Sequence, residues 1–349
     1  MSFDINNITR KNILSLKPYS SARDEFSGDA AVFLDANENP FNTPWNRYPD
    51  PRQSQLKAQI AKLKPVEPSQ IFLGNGSDEP IDLLFRAFCE PGIDNIVSIA
   101  PTYGMYRVAA DINNIEVIES HLSSEFELEG NDLLAKVNEN TKLIFLCSPN
   151  NPSGNLLDNN EIKKIILSFK GLVVVDEAYI DFCPERSLLP EIASFPNLVI
   201  LQTFSKAWGM AGLRLGMAFA AKPIIDVLNK IKYPYNLSIL TQQKAIELIQ
   251  NENNKTEWVD ILLKERDNLI ENLHKLTLVK KIFRTDSNFI LIKVEKPVDL
   301  YNYLVGEKII VRDRSRILLC EGCLRITVGS TEENKQLISV LQNTPSKFQ

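Results

Sequence analysis

Three runs of consecutive apolar residues constrain the fold of this 349-residue chain most. They occupy residues 143–147, 172–175 and 198–201. A strand without polar alternation is typical of a parallel sheet that helices cover on both faces. Shorter strands are predicted at residues 71–73 and 96–99, with helical segments between the strands. This alternation of strand and helix predicts a doubly wound α/β domain with a mostly parallel sheet.

The predicted elements divide the chain into three parts. Residues 1–45 are rich in Asn, Pro and polar residues and are expected to form an N-terminal arm. Residues 46–236 carry the alternating strands and helices of the large domain. Residues 237–349 begin with long, charged helical stretches and continue with short strands, including one at residues 309–311. Such a mixture predicts a smaller α+β domain at the carboxyl end.

Bulk composition narrows the class of function. A net charge of −5 argues against nucleic acid as a partner, since phosphate backbones call for a basic surface. No apolar stretch approaches the length of a membrane span or a signal peptide, so we expect a cytoplasmic protein without a membrane partner. Two histidines and five irregularly spaced cysteines argue against a metal site and a disulfide framework. The pair Cys320 and Cys323 is interpreted as reduced and structural.

The segment after the third apolar run has the composition of a phosphate site that holds a reactive amine. It reads T-F-S-K-A-W-G-M-A-G-L-R over residues 203–214. The strand carries Thr203, Ser205 and Lys206 to the carboxyl edge of the sheet, where open α/β sheets bind ligands. Two hydroxyls and the guanidinium of Arg214 suit a phosphate, and the lysine suits a Schiff base with a phosphate-bearing aldehyde such as pyridoxal phosphate. Taken alone, the same pattern also fits a solvated surface.

Other loops that follow predicted strands carry matching chemistry. Ser77 and Asp78 open a helix after G-N-G, where backbone N–H groups can meet an anion, although an ordinary helix cap fits as well. Tyr103 could stack on a flat ring or pack in the core. Asn151 lies in a turn-rich loop and could donate to a phenolate oxygen. Asp176 ends an apolar strand, where a carboxylate is costly unless it is paired; a pyridinium nitrogen would pair it, and a helix cap is the alternative.

In order and spacing, these motifs resemble those of fold-type-I, pyridoxal-phosphate-dependent aminotransferases. The resemblance extends over nearly the whole chain, and its two ends narrow it to the histidinol-phosphate aminotransferase family. The segments that carry it are P-Y-S-S-A-R at 18–23, L-D-A-N-E-N-P at 34–40, R-Y-P at 47–49, P-T-Y-G-M-Y at 101–106, V-R-D at 311–313 and G-C-L-R-I-T-V-G at 322–329.

The resemblance implies a set of site residues for pyridoxal 5′-phosphate. Lys206 matches the Schiff-base lysine, which would also move a proton during the reaction, and Asp176 would pair with the ring nitrogen. Asn151 and Tyr179 would hydrogen-bond the phenolate oxygen of the ring. The other residues expected at the ring or the phosphate are Ser77, Asp78, Tyr103, Thr203, Ser205, Arg214 and, from a neighbouring subunit, Tyr48.

The resemblance also implies a reaction. We expect a ping-pong interconversion of L-histidinol phosphate and 2-oxoglutarate with imidazole-acetol phosphate and L-glutamate, in histidine biosynthesis. Tyr19, Arg312 and Arg325 match the substrate-anion positions, and the role of Tyr48 implies a homodimer.

Several alternative functions remain open from the sequence. An aromatic aminotransferase or a threonine-phosphate decarboxylase would share the same cofactor frame. An aminotransferase-like regulator would need an added DNA-binding module, and an NAD-dependent dehydrogenase would need a complete glycine fingerprint; we find neither in the sequence.

Overall fold

The structure, a computed structural model, describes residues 3–19 and 32–345. The predicted arm, residues 1–45, is therefore described only in part. Residues 20–23 of its P-Y-S-S-A-R segment lie outside the described residues. The arm contains a short helix, α1, at Lys11–Ser15.

A seven-stranded sheet lies at the centre of the large domain. Its order is β1-β7-β6-β5-β4-β2-β3. Strands β2 to β6 pair in parallel, whereas β7 runs antiparallel to both of its neighbours, which confirms the predicted mostly parallel sheet. The strands are β1 (Ile71–Asn75), β2 (Asn95–Ala100), β3 (Glu116–His121), β4 (Thr141–Cys147), β5 (Leu172–Asp176), β6 (Leu198–Thr203) and β7 (Leu215–Ala220).

Helices cover both faces of this sheet, as the unbroken apolar strands predict. Alternate residues of β4 point to opposite layers: Leu143 and Phe145 join the core that includes α3, α4 and α7, whereas Ile144 and Leu146 join the core that includes α2, α6 and α8. The helices of the large domain are α2 (Ser54–Leu63), α3 (Asp78–Phe88), α4 (Met105–Ile112), α5 (Gly130–Leu134), α6 (Asn159–Ser168), α7 (Lys222–Ile231) and α8 (Ile239–Ile249).

A smaller antiparallel sheet follows, in the order β10-β11-β9-β8. Apolar residues of its strands share a separate core with three helices. The elements are α9 (Glu252–His274), β8 (Val279–Ile282), β9 (Phe289–Val294), α10 (Pro297–Gly306), β10 (Arg312–Asp313), β11 (Cys323–Thr327) and α11 (Thr331–Gln342).

The strand predicted at residues 309–311 is wrong, because pairing in this segment is confined to Arg312–Asp313. The backbone N–H of Ile309 donates to the carbonyl of Leu304 at 2.8 Å and so closes the end of α10. This apolar run does not form a strand because its first residue, Ile309, completes the end of α10.

The position of α8 bears on the predicted domain boundary. Ala245 and Ile249 of α8 belong to the same apolar core as Leu56 and Ile60 of α2, beside the large sheet. The division at residues 236 and 237 stays a prediction, and this packing favours a later boundary, between α8 and α9. Within the described part of the chain, no helix is both long and apolar enough to cross a membrane.

Candidate active site

The predicted site residues meet in one pocket of about 260 Å³ at the carboxyl edge of the large sheet. The ends of β1, β5 and β6 and the loops after β2 and β4 form one side, and arginines of β10, β11 and the loop after β10 form the other. The predicted residues that line it are Ser77, Asp78, Tyr103, Asn151, Asp176, Tyr179, Thr203, Ser205, Lys206, Arg214, Arg312 and Arg325.

The start of α3 and the loop before β7 form one end of the pocket. Arg214 donates from Nη2 to Oδ2 of Asp78 at 3.3 Å, and the hydroxyl of Tyr103 donates to Oδ1 of the same carboxylate at 3.2 Å. The first N–H groups of a helix lack acceptors within it, so the start of α3 offers donors to an anion. Thr203 and Ser205 add two hydroxyls on the adjoining loop. This end has the chemistry of a phosphate site.

Two glycines allow the loop before α3 to pack closely against β7 at this end of the pocket. A Cβ at Gly216, in β7, would lie 2.2 Å from the backbone nitrogen of Ser77. Gly76 has a φ of +71°, and a Cβ there would lie 2.6 Å from Nη2 of Arg214. Only glycine fits both positions, which brings the loop before α3 against β7.

Asp176 lies buried at the end of β5, and among the described residues no cationic group is hydrogen-bonded to it. The hydroxyl of Tyr106 donates to Oδ2 at 2.6 Å, and the backbone N–H of Ala178 donates to Oδ1 at 3.0 Å. Burial raises the pKa of this carboxyl, and the two hydrogen bonds oppose the rise. A cation placed in the pocket would compensate the charge of Asp176.

Lys206 extends into the pocket from the loop after β6. Its Nζ lies 5.4 Å from the ring centroid of Tyr179. Partial desolvation by the pocket walls lowers the pKa of Lys206, the positive charge of Arg325 lowers it further, and Asp176 opposes the shift. A lysine in these surroundings has more neutral amine than a solvated lysine at the same pH, as a nucleophile requires.

Asn151 and Tyr179 lie on the side of the pocket nearest the small domain. Arg325 donates from Nη1 to Oδ1 of Asn151, which orients the amide with its NH₂ group free to donate elsewhere. Tyr179 is buried, and burial raises its pKa. The guanidinium of Arg325 also lies 5.1 Å from the ring of Phe289.

Two predicted residues do not join this pocket within one chain. Tyr48 stacks on Tyr235 at 4.4 Å between ring centroids and is half-exposed. Tyr19 lines a larger, separate cavity of about 670 Å³, beside Pro51 and Lys57. None of the other predicted site residues lines that cavity. For both tyrosines the site role stays a prediction, and the role predicted for Tyr48 needs a neighbouring subunit.

The sequence reasoning missed two residues of the site. Tyr106 was quoted only as part of the P-T-Y-G-M-Y segment, although it lies one helical turn after Tyr103 and its hydroxyl reaches Asp176. Arg314 lines the pocket together with Arg312 and Arg325. Its signal was the alternation of R-D-R over residues 312–314, which puts both arginines on one face of an extended chain.

The fold and the pocket together indicate an enzyme of the aminotransferase class, and comparison with known proteins agrees with this class. The chain belongs to the aminotransferase class I and II family, whose model matches residues 29–341. This range spans both sheets and every pocket residue named above.

The more particular likeness is to histidinol-phosphate aminotransferases. The one from Bacteroides fragilis is 58% identical over 339 residues, which cover 97% of this chain and 98% of that protein. The crystal structure of the one from Clostridium acetobutylicum is 25% identical, has a TM-score of 0.79, and aligns over 85% of this chain and 90% of that chain. The enzyme from Sinorhizobium meliloti in complex with pyridoxal-5′-phosphate is 22% identical, with a TM-score of 0.76 and coverage of 85% and 83%, and shares the fold.

Proposed function

We propose that this protein is a transaminase of histidine biosynthesis. It interconverts L-histidinol phosphate and 2-oxoglutarate with imidazole-acetol phosphate and L-glutamate. The likeness to curated histidinol-phosphate aminotransferases over nearly the full length carries the proposal. The pocket supports it, because a lysine, a buried carboxylate and three substrate-side arginines face one cavity.

The residues of the pocket fit pyridoxal 5′-phosphate as the cofactor. The buried carboxylate of Asp176 lacks a cation, which the protonated ring nitrogen would provide. Asn151 and Tyr179 would donate to the phenolate oxygen, and Tyr103 would stack on the ring. The phosphate would be held at the other end by Ser77, Asp78, Thr203, Ser205 and Arg214, with the backbone N–H of Asp78 as the contact and its carboxylate directed to Arg214.

When bound, this cofactor supplies an aldehyde for amine exchange and a ring that withdraws electrons from the reacting carbon. Lys206 would take the proton from the substrate Cα and deliver it to C4′ of a bound cofactor, and its lowered pKa suits a base at neutral pH. Asp176 would keep the ring nitrogen protonated and so maintain electron withdrawal. Tyr106 holds Oδ2 of Asp176 in place for that task.

The substrate-side arginines explain how one pocket can serve two substrates in turn. Histidinol phosphate presents a phosphate, and glutamate presents carboxylates. A planar guanidinium can bind either group through two parallel hydrogen bonds. Arg325 and Arg312 would make these contacts, with Tyr19 from the arm.

We also propose a homodimer in which Tyr48 completes the cofactor site of the neighbouring subunit. The supporting observation is that Tyr48 lies outside its own pocket and half-exposed. Leu34 and Phe41, on the same segment, expose apolar side chains that a partner could cover. The cytoplasmic location expected from the sequence stays a prediction.

Half-reaction kinetics test the function. The protein loaded with pyridoxal phosphate is mixed separately with L-histidinol phosphate, L-phenylalanine and L-threonine phosphate, and the absorbance of the cofactor is followed. We expect histidinol phosphate to convert the cofactor fastest, and 2-oxoglutarate to restore it with formation of glutamate. Lys206→Ala is the control and should not convert the cofactor to its amine form.

Two outcomes would contradict the proposal. Faster conversion by phenylalanine would favour an aromatic aminotransferase. Release of carbon dioxide from threonine phosphate, without glutamate formation, would favour the decarboxylase alternative.

A further inference from the structure

The small sheet presents three arginines to the pocket. Arg312 and Arg325 are direct partners in the antiparallel pair of β10 and β11, so their side chains lie on the same face. The backbone N–H of Arg314 donates to the carbonyl of Cys323 at 3.0 Å, which continues the pairing one residue beyond Asp313. Residues two apart in an extended chain share a face, so Arg314 joins the other two. All three line the pocket.

The three guanidiniums lack anionic partners within the described residues. No ion pair joins any of them to a carboxylate there. The Nε atoms of Arg314 and Arg325 are buried and have no hydrogen-bond partner. A buried donor without an acceptor costs free energy, and a ligand with oxygen acceptors would satisfy each Nε.

The positive charges of the three guanidiniums lie close enough to disfavour one another. Burial lowers the pKa of Arg314, and the neighbouring charge of Arg312 lowers it further. Burial also lowers the pKa of Arg325, with Arg314 and Arg312 among the further causes. Like charges packed together in this way disfavour one another unless an anion lies between them. A singly charged anion would leave most of this charge uncompensated.

We propose that Arg314 is a specificity-determining residue that binds the second negative charge of a dianionic substrate group. This inference rests on the proposed function and deepens it. Arg325 is fixed by Asn151 and the ring of Phe289, and Arg314 supplies the additional fork that a phosphate monoester dianion can accept. Arg312 is more exposed and lies at the mouth of the pocket. Arg314 therefore selects phosphorylated amines over amines of the same shape without a phosphate.

A matched pair of substrates tests Arg314 directly. L-Histidinol phosphate and L-histidinol differ only in the phosphate, so the ratio of their kcat/KM values measures phosphate recognition. Arg314→Gln should lower the ratio of kcat/KM for histidinol phosphate to kcat/KM for histidinol by at least about tenfold, mainly through a higher KM for histidinol phosphate. Arg314→Lys keeps the charge without the fork and should recover part of the loss.

Arg316→Gln is the control variant. Arg316 lies two residues further along, is exposed and does not line the pocket, so its removal changes the net charge by the same amount. We expect its substrate ratio to equal that of the unaltered protein.

The pH dependence separates recognition of the dianion from a structural role. The second pKa of a phosphate monoester is about 6, so KM for histidinol phosphate should fall as the pH rises through this value. In Arg314→Gln this fall should flatten, because the preference for the second charge is lost.

An unchanged ratio and pH profile in Arg314→Gln, or an equal loss for both substrates, would overturn the proposal. Neither result would affect the proposed function, which is tested separately by the half-reactions of the unaltered protein.

Discussion

At the scale of single residues, burial and nearby charges shift the two central groups of the pocket in opposite directions. Burial raises the pKa of Asp176, whereas partial desolvation and the charge of Arg325 lower the pKa of Lys206. Both shifts favour the neutral forms of groups that are ionised in water. The pocket thus favours a cation beside Asp176 and an electrophile beside Lys206, which the proposed cofactor would provide.

The pKa of Lys206 provides a first prediction. Since the positive charge of Arg325 disfavours the ammonium form, Arg325→Gln should raise the pKa of Lys206 and reduce the fraction of neutral amine at pH 8. The measurement is the pH profile of labelling by an amine-reactive reagent in the cofactor-free protein, resolved by peptide. The midpoint for Lys206 should move to higher pH.

Lys57 is an internal control for this experiment. Burial and the charge of Lys232 lower its pKa to about 8, and it lies in the separate cavity away from Arg325. Its profile should be the same in both proteins. A midpoint for Lys206 that stays in place, or moves to lower pH, would contradict the assigned electrostatic cause.

At the scale of elements, the order of neighbouring strands determines which loops meet at the site. Parallel strands end at one edge, so loops that are far apart in the sequence lie side by side there. The apolar runs of β4, β5 and β6 predicted both the strands and the loops that follow them. The antiparallel β7 was not predicted, yet it brings Arg214 and Gly216 against the start of α3.

Gly216 provides a prediction at this scale. Gly216→Ala would place a Cβ 2.2 Å from the backbone nitrogen of Ser77, so the loop before α3 must shift. We expect the affinity for pyridoxal phosphate to fall at least tenfold and the free energy of unfolding to fall by roughly 1–3 kcal/mol, as for other overpacked sites. Cofactor titration and thermal unfolding measure the two effects.

Gly212→Ala is the matched control for Gly216→Ala. Gly212 lies four residues earlier, on the loop before β7, and apart from its chain neighbours no described residue has an atom within 4 Å of a Cβ there. That variant should bind the cofactor as the unaltered protein does. Equal affinities of the two variants would show that the close approach at Gly216 is not needed for binding.

At the scale of the whole molecule, one chain gathers twelve of the fourteen predicted site residues, and the remaining two lie elsewhere. Tyr48 and Tyr19 both belong to the first 50 residues, before the first strand of the large sheet. A two-fold dimer would let each chain complete the site of the other. The proposed dimer therefore makes the catalytic unit larger than the chain.

Mixing two inactive or impaired variants tests this exchange. Lys206→Ala lacks the reactive amine, and Tyr48→Ala lacks the proposed contact to the neighbouring cofactor. In a hybrid dimer one site then carries both changes and the other carries neither. If half of the dimers are hybrids and half of their sites are intact, activity should recover to about one quarter of the normal value.

The oligomeric state of the mixture is measured by sedimentation, alongside its activity. Mixed homodimers that never exchange subunits serve as the control. If Tyr48 acts within its own chain, each hybrid site carries one change and the activity of the mixture stays at the average of the two variants.

Local sequence patterns are sufficient to predict the layered sheet and the chemistry of its edge. Because both faces of β4, β5 and β6 are buried, these strands consist mainly of apolar residues. Polar residues that follow such strands therefore lie at the edge of the sheet. Asp176 and Lys206 were predicted for this reason.

The contacts that Asp176, Lys206 and their neighbours make with distant residues depend on how the elements pack. Arg325 and Asn151 are 174 residues apart, and their contact depends on how the small sheet packs over the pocket. Tyr106 reaches Asp176 through the orientation of α4, and Arg314 faces the cavity through the register of β10 with β11. Local patterns record whether a residue is buried, whereas the neighbour it meets depends on the packing of whole elements.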